Sequence, residues 1–501
     1  MRIRPFLLLA ACTSIVPVAC SLAVQSELDG KPAAAGGASA DAGPSDALGG
    51  TGGNAQDAPS EETSDAGSEP TPEASDDAQG QDAPEDALED ASDADSDTCS
   101  SCTADQCCGG VCVETQSDKA NCGACGHACG AGRTCASGLC SSGWITMTPA
   151  SSDNERARAC AVLAGDRVFI WGGMKLPGNE LRGDGITYDP IHDQWTNVPA
   201  DTTAPSPRAE PVCLWTGSKV FVWGGVDPIA KTVFADGALW DPTTGAWEAL
   251  ASGGPSGRAR PVALWTGTAA IIWGGTDPST NHGVKTGGVW TAASSAWQAI
   301  STTNAPPKNK ELAGVWTGSD ALIFGGRDDG GGNVYNTLYQ YAAPSTNAWT
   351  LLAPTGTAPT ARSSAFVGCT SARMAVWGGF DNSVASLGNG ARVKLAAPTA
   401  WESLSSTNAP TKRAAVPFES GWAAMQGAKM HVLGGIVSTA TPTAATDGAT
   451  YDIGTDTWSA IPSWGSSSHL YGVGVWTGSE FVVWGGYDGS TPSLDGSRWM
   501  P

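Results

Sequence analysis

Short apolar segments that end in a pair of glycines recur seven times along the second half of the chain. Each pair begins 50 to 56 residues after the previous one. A sequence period of this length indicates one supersecondary unit that is used repeatedly. The pairs are Gly172-Gly173, Gly224-Gly225, Gly274-Gly275, Gly325-Gly326, Gly378-Gly379, Gly434-Gly435 and Gly485-Gly486.

Each unit contains the signals of four short strands. A turn such as Trp215-Thr216-Gly217 precedes the apolar strand, and a polar loop follows the glycine pair. A third strand ends in an aromatic residue such as Tyr188, and Trp195 opens a fourth strand seven residues later. No helical periodicity accompanies these signals. We therefore predict a seven-bladed β-propeller, in which the repeated tryptophans pack one blade on the next.

The glycine pair, the aromatic of the third strand and the later tryptophan resemble kelch repeats. The resemblance covers residues 144–501, although Leu395 stands where the fifth unit should have its aromatic. It implies an all-β, seven-bladed ring like that of galactose oxidase, which we place at residues 142–501. The seventh unit ends after its third strand, and residues 144–149 carry the signature of a fourth strand. We expect this N-terminal strand to complete the seventh blade.

Residues 1–20 form a basic and then apolar export signal. Cys20 and Cys12 both resemble lipid attachment points of bacterial lipoproteins, and Cys20 gives the more usual signal length. Cleavage near Ala23 without a lipid is the alternative. We expect an exported protein at the outer membrane or cell surface, or else a secreted or periplasmic one.

Residues 21–98 are a low-complexity linker rich in alanine, aspartate, glycine and proline. The 20 acidic residues between Glu27 and Asp97, against Lys31 alone, supply −19 of the net charge of −23. Such a segment cannot bury a core, so we predict disorder and the role of a solvated stalk. An acidic tail that binds a partner is the alternative.

Residues 99–141 carry ten cysteines, which in an exported chain predict up to five disulfides. Zinc is the rival interpretation, because two Cys-x-x-Cys pairs have ligand-like spacing. The segment 121–129 resembles a small module of exported myxobacterial proteins. The disulfide connectivity stays open. The cysteines are Cys99, Cys102, Cys107, Cys108, Cys112, Cys122, Cys125, Cys129, Cys135 and Cys140.

The ring offers few residues for catalysis. A copper site like that of galactose oxidase would need matching tyrosine, histidine and cysteine ligands. We interpret Cys160, Cys213 and Cys369 as small packing residues, and the five histidines as satisfied locally. Asp328-Asp329-Gly330 with Asn333 could hold calcium, but the spacing of these residues is not that of a known calcium loop. We expect no metal, no cofactor and no catalytic residue.

Arginines and aspartates recur on what should be one face of the ring, near the axis. The candidates before the first strands are Arg156, Arg208, Arg258, Arg362 and Arg413, and those after the glycine pairs are Asp227, Asp277, Asp328, Asp381 and Asp488. We expect alternating charge-assisted pairs between the two sets. These pairs either satisfy only each other, or form a charged funnel that recognises a ligand with help from Phe380, Tyr487 and Tyr335.

The sequence favours a non-catalytic binding module for a protein or glycan. A carbohydrate-active enzyme or oxidase and a purely structural surface protein are the alternatives. We expect a monomer that meets membranes only through a lipid anchor. Nucleic acid is disfavoured because strong basic patches are absent.

Overall fold

We describe a computed structural model of the chain. It describes residues 106–329, 332–342, 346–396, 399–416, 420–438, 443–465, 469–488 and 491–501. The predictions for the export signal, Cys12, Cys20, the acidic linker, Cys99 and Cys102 lie outside these residues. The domain boundaries likewise stay predictions.

The ring has seven blades of antiparallel strands, as predicted. The first strands are Cys160–Ala164, Val212–Trp215, Val262–Trp265, Ala313–Trp316, Phe366–Cys369, Trp422–Gln426 and Val473–Trp476. The second strands are Arg167–Trp171, Val220–Trp223, Ala269–Trp273, Ala321–Phe324, Arg373–Trp377, Lys429–Leu433 and Phe481–Trp484. The third strands are Gly185–Asp189, Gly237–Trp240, Gly287–Thr291, Leu338–Ala342, Gly390–Lys394, Gly448–Asp452 and Gly496–Met500. The fourth strands are Gln194–Val198, Trp247–Ala249, Ala296–Ala299, Ala348–Leu352, Ala400–Ser403, Thr457–Ile461 and Gly143–Thr146.

The first strands contact one another all the way round the ring, including the contact of blade 7 with blade 1. They therefore line the axis, and the later strands of each blade lie progressively farther out. The second strands are continuous apolar runs, as in Val220–Trp223, because neighbouring blades cover both faces of the sheet. Blade 5 adds a short parallel strand, Thr355–Gly356, beside its fourth strand. The only helical element of the described residues is a 3₁₀ turn, Ser152–Asn154.

Tryptophans join each blade to the next in the way the repeat predicted. At six of the seven junctions, the tryptophan that opens a fourth strand contacts the aromatic residue before the glycine pair of the preceding blade; blade 6 has Leu433 at that place. Trp297 lies 5.7 Å from Trp223 between ring centroids, and Trp349 lies 4.6 Å from Trp273. Trp195 makes the same contact with Trp484, at 5.0 Å, where blade 1 meets blade 7. Blade packing, rather than ligand stacking, explains their recurrence.

The ring closes through its N-terminal strand, as predicted. Gly143–Thr146 pairs antiparallel with Gly496–Met500, and Trp144 lies opposite Trp499. The Met147 amide also donates to the Gly496 carbonyl, at 2.9 Å. Blade 7 is therefore built from both ends of the folded region.

The described part of the cysteine-rich segment, residues 106–141, is termed the collar. It holds two small hairpins, Gln106–Cys108 with Val111–Val113 and Cys135–Ala136 with Leu139–Cys140. Its disulfides are Cys108–Cys125, Cys122–Cys135 and Cys129–Cys140, and Cys107 and Cys112 are also disulfide-bonded. The disulfide interpretation is thus confirmed for these eight cysteines. Cys122 and Cys125, which were candidates for a zinc-binding pair, are bonded to two different cysteines.

A buried charged triad joins the collar to the ring. Arg133 Nε lies 2.8 Å from Glu480 Oε1, and Arg498 Nη1 lies 3.2 Å from the other carboxylate oxygen. Arg498 also donates to the carbonyls of Ala131 in the collar and Pro190 in blade 1. Removing one member would leave a buried charge without its partner, which is strongly destabilising.

The interpretation of Cys160 and Cys213 as packing residues was wrong. The two form a disulfide between the first strands of blades 1 and 2. Equivalent positions of adjacent first strands face each other near the axis, and this brings both sulfurs within bonding distance. The Cys369 thiol, at a similar place in blade 5, donates instead to the Trp316 carbonyl of the preceding blade, at 3.2 Å.

Closure of the ring should be sensitive to Gly486. Its φ is +86°, and an added Cβ would collide with backbone atoms of Leu470 and Gly472. Gly478 also has a positive φ, +97°, but a Cβ there meets nothing within 4 Å. We expect Gly486→Ala to lower the free energy of unfolding by roughly 3 kcal/mol, and Gly478→Ala by only about 1–2 kcal/mol, in denaturant titrations. Equal losses would contradict a close-packed seam at Gly486.

Candidate functional site

One face of the ring carries both the segments that precede the first strands and the loops that follow the glycine pairs. We call it the loop face. Backbone bridges such as Ala209 with Val226 and Ser363 with Phe380 hold the two sets of segments together, as the sequence predicted. The loops form hairpins at Met174–Lys175 with Glu180–Leu181, Val226–Asp227 with Thr232–Val233, Thr276–Asp277 with His282–Gly283, and Ile436–Ser438 with Thr443–Ala444. In blade 4, Arg327–Asp328 pairs with Asn309–Lys310.

The five predicted arginines are buried clamps inside their own blades. Arg208 has no exposed surface. Its Nη1 donates to the Gly224 carbonyl at 3.2 Å and to Asp236 Oδ1 at 2.9 Å. Its Nη2 donates to the other Asp236 carboxylate oxygen at 3.0 Å, and its Nε to the Ser206 carbonyl at 2.8 Å. The guanidinium thereby ties the glycine pair to the start of the third strand.

The other four clamps repeat this geometry with different acceptors. Arg156 and Arg413 also reach carboxylates, Asp184 and Asp447. Arg258 and Arg362 instead use neutral oxygens, and burial lowers the pKa of each to about 10. Both therefore stay charged at neutral pH, held by several hydrogen bonds to carbonyl and side-chain oxygens.

The clamps also join neighbouring blades through their backbone. The Arg208 carbonyl accepts a hydrogen bond from the Gly173 amide of the preceding blade, at 2.8 Å. The same bond closes the ring, because the Gly486 amide donates to the Arg156 carbonyl at 3.1 Å. The remaining bonds of this kind run from Gly225 to Arg258, from Gly326 to Arg362 and from Gly379 to Arg413.

The expected pairing of these arginines with the rim aspartates is wrong. Asp227 and Asp277 accept backbone amides of their own turns, for example that of Ile229 at 2.9 Å. Asp381 and Asp488 do the same in blades 5 and 7. The sequence placed both sets correctly on one face. The guanidiniums, however, are buried within their blades at the start of the third strands, while the aspartates cap the loops. Whether the ten residues bind a ligand stays a prediction.

Asp328 caps the loop that the sequence offers as a calcium candidate. Its two carboxylate oxygens accept the backbone and side-chain amides of Asn333, each at 3.0 Å, and Tyr335 donates to it as well. Gly330 lies outside the described residues. Within the described ranges, the one close group of three metal-type side chains is Cys122, Cys129 and Cys140. All three are in disulfides.

Two blades have other residues at the clamp position. In blade 7 it is His469, whose Nδ1 lies 2.7 Å from the Gly485 carbonyl. Burial lowers the pKa of His469, so its imidazole is neutral at neutral pH. In blade 4 the position is held by Asn309, which is also buried. Both residues stand 16 positions before the first glycine of their pair, as four of the arginines do.

A second charged set lies two residues beyond the clamp positions. The amide of Glu210 donates to the carbonyl of its counterpart in blade 1, Arg158, at 2.8 Å. We call these positions the inner ring. Glu210 accepts hydrogen bonds from Arg158 at 3.1 Å and from Arg260 at 2.7 Å, across two blade boundaries. In blade 4 the position is Glu311, which pairs with Arg327 at 3.4 Å.

The pKa values of the two inner-ring glutamates are shifted in opposite directions. Burial alone would raise the pKa of Glu210, but Arg260 and Arg158 outweigh it and hold that pKa below its ordinary value. Burial dominates at Glu311, so its pKa is raised in spite of Arg327. Two arginines lie 2.7 and 3.1 Å from Glu210, whereas at Glu311 the combined effect of Ser363, Arg327 and Lys310 does not offset burial.

The repeats of the ring match the model of a known protein family. Residues 158–320 and 311–495 match the model of the KLHDC2/KLHL20/DRC7 kelch-repeats domain. Together these segments span about two thirds of the chain. The chain belongs to the kelch-repeat family. The resemblance inferred from the glycine pairs is thus confirmed, and kelch propellers are generally binding or scaffold modules rather than catalysts.

The region before the kelch ring has its own match. Residues 81–143 are similar to the stigma-specific STIG1-like protein family, a fit with the disulfide-rich collar. Among curated proteins, none matches the chain.

Sequence reasoning missed the true partners of the clamps and the inner ring of the kelch propeller. A signal for the partners was present, because a polar residue precedes the glycine of the third strand at Asp184, Asp236, Thr286, Asn389 and Asp447. The inner ring has no shared residue type, since it includes Arg158, Glu210, Ser364 and Tyr471 at equivalent places. The ion pairs of Glu210 cross blade boundaries and are visible only once the blades are assembled.

Arg208→Lys should destabilise the ring by about 2–4 kcal/mol, because a lysine cannot make the forked hydrogen bonds of the buried guanidinium. Asp227→Asn should change the free energy of unfolding by less than about 1 kcal/mol, because an amide oxygen still caps the turn. Denaturant titration of both variants provides the measurement. Equal losses would instead favour the Arg–Asp pairs expected from sequence.

Substitution of the inner-ring glutamates should give opposite pH profiles. The ionised Glu210 stabilises the fold above its unfolded pKa of about 4.5, and this contribution is lost as pH falls through the lower folded pKa. Glu210→Gln should therefore be most destabilising near neutral pH. Ionisation of Glu311 costs stability as pH rises above about 4.5, so Glu311→Gln should gain stability relative to wild type toward neutral pH. Parallel profiles in unfolding titrations at several pH values would contradict the two environments.

Proposed function

We propose that this kelch propeller is an exported, surface-anchored module that binds a protein partner through its loop face. The observation that carries this proposal is the contrast between a constant base and variable tips. Buried clamps and glycine pairs repeat from blade to blade, whereas the loops that they hold differ in sequence and length. A rigid scaffold that carries variable exposed loops is a common arrangement for recognition.

The position of the collar supports recognition on the loop face. The collar contacts Glu480, Arg498 and the turn at Pro190. These residues follow the first strand or end the third, so they lie on the face opposite the hairpins. The described part of the collar therefore leaves the loop face uncovered.

The side chains of the loop face favour a protein over a glycan. None of the 21 tryptophans lies between a glycine pair and the following third strand. The tips instead present isolated aliphatic and charged residues, such as Ile229, which is 65% exposed, and Lys231. Binding pockets for small ligands are lined mainly by hydrophobic and aromatic side chains, and these tips supply few.

Site-specific photocrosslinking on intact cells tests this function. A benzoylphenylalanine at Ile229 probes the loop face, and one at Leu351, which is 54% exposed on an outer strand, is the matched control. We expect a discrete protein adduct from position 229 and none from 351. Adducts from both positions, or from neither, would contradict recognition by the loop face. A glycan panel that shifts the unfolding temperature of the full chain would favour a carbohydrate ligand.

Export and anchoring are tested separately. We expect the full chain to incorporate a labelled fatty acid, and Cys20→Ala to abolish the label while Cys12→Ala keeps it. Protease added to intact cells should digest an exposed protein. Label retained in both single variants, or full protection from protease, would contradict anchoring at the surface through Cys20.

A further inference from the structure

Blade 4 keeps the glycine-pair carbonyl and the third-strand threonine of a clamp, but it has no arginine at the clamp position, and Pro307 stands where blade 3 has the hydroxyl of Ser256. Asn309 precedes Gly325 by 16 residues, as Arg258 precedes Gly274 in blade 3. The Asn309 side chain is 1% exposed, and within the described ranges neither its Oδ1 nor its Nδ2 has a hydrogen-bond partner. Native proteins rarely leave both ends of a buried amide unsatisfied.

Blade 3 shows what such an acceptor set holds. Arg258 Nη1 donates to the Gly274 carbonyl at 3.0 Å and to the Thr286 carbonyl at 2.6 Å. Its Nη2 donates to Thr286 Oγ1 at 2.9 Å. These three oxygens, with those of Ser256, surround one guanidinium without any carboxylate.

The corresponding backbone of blade 4 is arranged in the same way. The Gly325 amide donates to the Thr337 carbonyl at 3.0 Å, just as the Gly274 amide donates to the Thr286 carbonyl at 3.1 Å. Thr337 supplies the same hydroxyl as Thr286. An asparagine side chain is too short to reach the place where the arginine carries its guanidinium, so Asn309 supplies no substitute for that group.

The acceptor set borders the surface of the loop face. Pro307, two residues before Asn309, is exposed, and Thr337 is half-buried. The two lysines that flank Asn309 are engaged elsewhere. Lys308 Nζ lies 3.4 Å from Asp329 Oδ2, and Lys310 Nζ lies 3.3 Å from Asn281 Oδ1.

We propose that blade 4 binds a guanidinium group supplied from outside the repeat, through oxygens of Gly325, Thr337 and Asn309. The group comes either from an arginine side chain of a partner protein or from a free guanidino compound. The site itself does not depend on the proposed function. Only the assignment of the guanidinium to a partner protein rests on that function, since the acceptor set lies on the loop face.

Binding of methylguanidinium chloride to the full chain tests the site, with methylammonium chloride at equal ionic strength as the control. We expect calorimetric titration to show methylguanidinium binding at least about tenfold tighter, because only a planar fork matches several acceptors at once. Asn309→Arg should abolish this binding and raise the unfolding temperature, because its own guanidinium then occupies the site. Equal binding of the two cations, or unchanged binding by Asn309→Arg, would overturn the proposal.

Arg258→Asn makes the reciprocal change in blade 3. It should create a second guanidinium site with the same preference over methylammonium, so its titration should show doubled stoichiometry. If this variant does not fold, Asn309→Arg still decides the question. If it folds with unchanged stoichiometry, the acceptor set does not bind an external guanidinium, and the proposal is wrong.

A glycyl-arginyl-glycine amide peptide distinguishes the two sources. Binding at least about tenfold tighter than that of methylguanidinium indicates a protein arginine, and equal binding indicates a free guanidino compound. The crosslink from Ile229 separates this inference from the proposed function. A crosslink without methylguanidinium binding refutes the site alone, and methylguanidinium binding without a crosslink refutes loop-face recognition of a protein alone.

Discussion

The interlock between the clamp arginines and the glycine pairs is the constraint on which the rest of the structure depends. Each arginine holds the glycine carbonyl of its own blade, while its own carbonyl accepts the amide of the preceding glycine pair. One residue thus fixes both the geometry within a blade and the junction between blades. The glycines are needed because both have positive φ, for example +68° and +103° at Gly224 and Gly225.

This interlock explains why the clamp arginines do not pair with the rim aspartates. A buried guanidinium is tolerated only when several oxygens surround it, and the start of the third strand supplies them in every clamped blade. The rim aspartates are thereby left to cap turns, and the inner ring forms a separate set of pairs, such as Glu210 with Arg260. Variation is confined to the loops beyond this base, where it costs little stability.

The sequence was sufficient for the architecture because the signals of the fold are local and repeated. Glycine pairs, the turn after Trp215 and the tryptophan of the fourth strand each mark one strand end, and seven copies in register fix the ring. Even the closing strand at Trp144 carried such a mark. The Cys160–Cys213 disulfide and the Arg133–Glu480–Arg498 triad carried none, because they arise between elements that are distant along the chain.

The closing strand also sets the order in which the molecule can be completed. Gly143–Thr146 leaves the ribosome before any blade exists, yet its hydrogen-bonding partner, Gly496–Met500, emerges only after the other six blades. Until then two unpaired strand edges, at the beginning and the end of the growing sheet array, are open to other chains. In this circular architecture, the pairing of the first strand with the third strand of blade 7 is thus the step that removes both open edges.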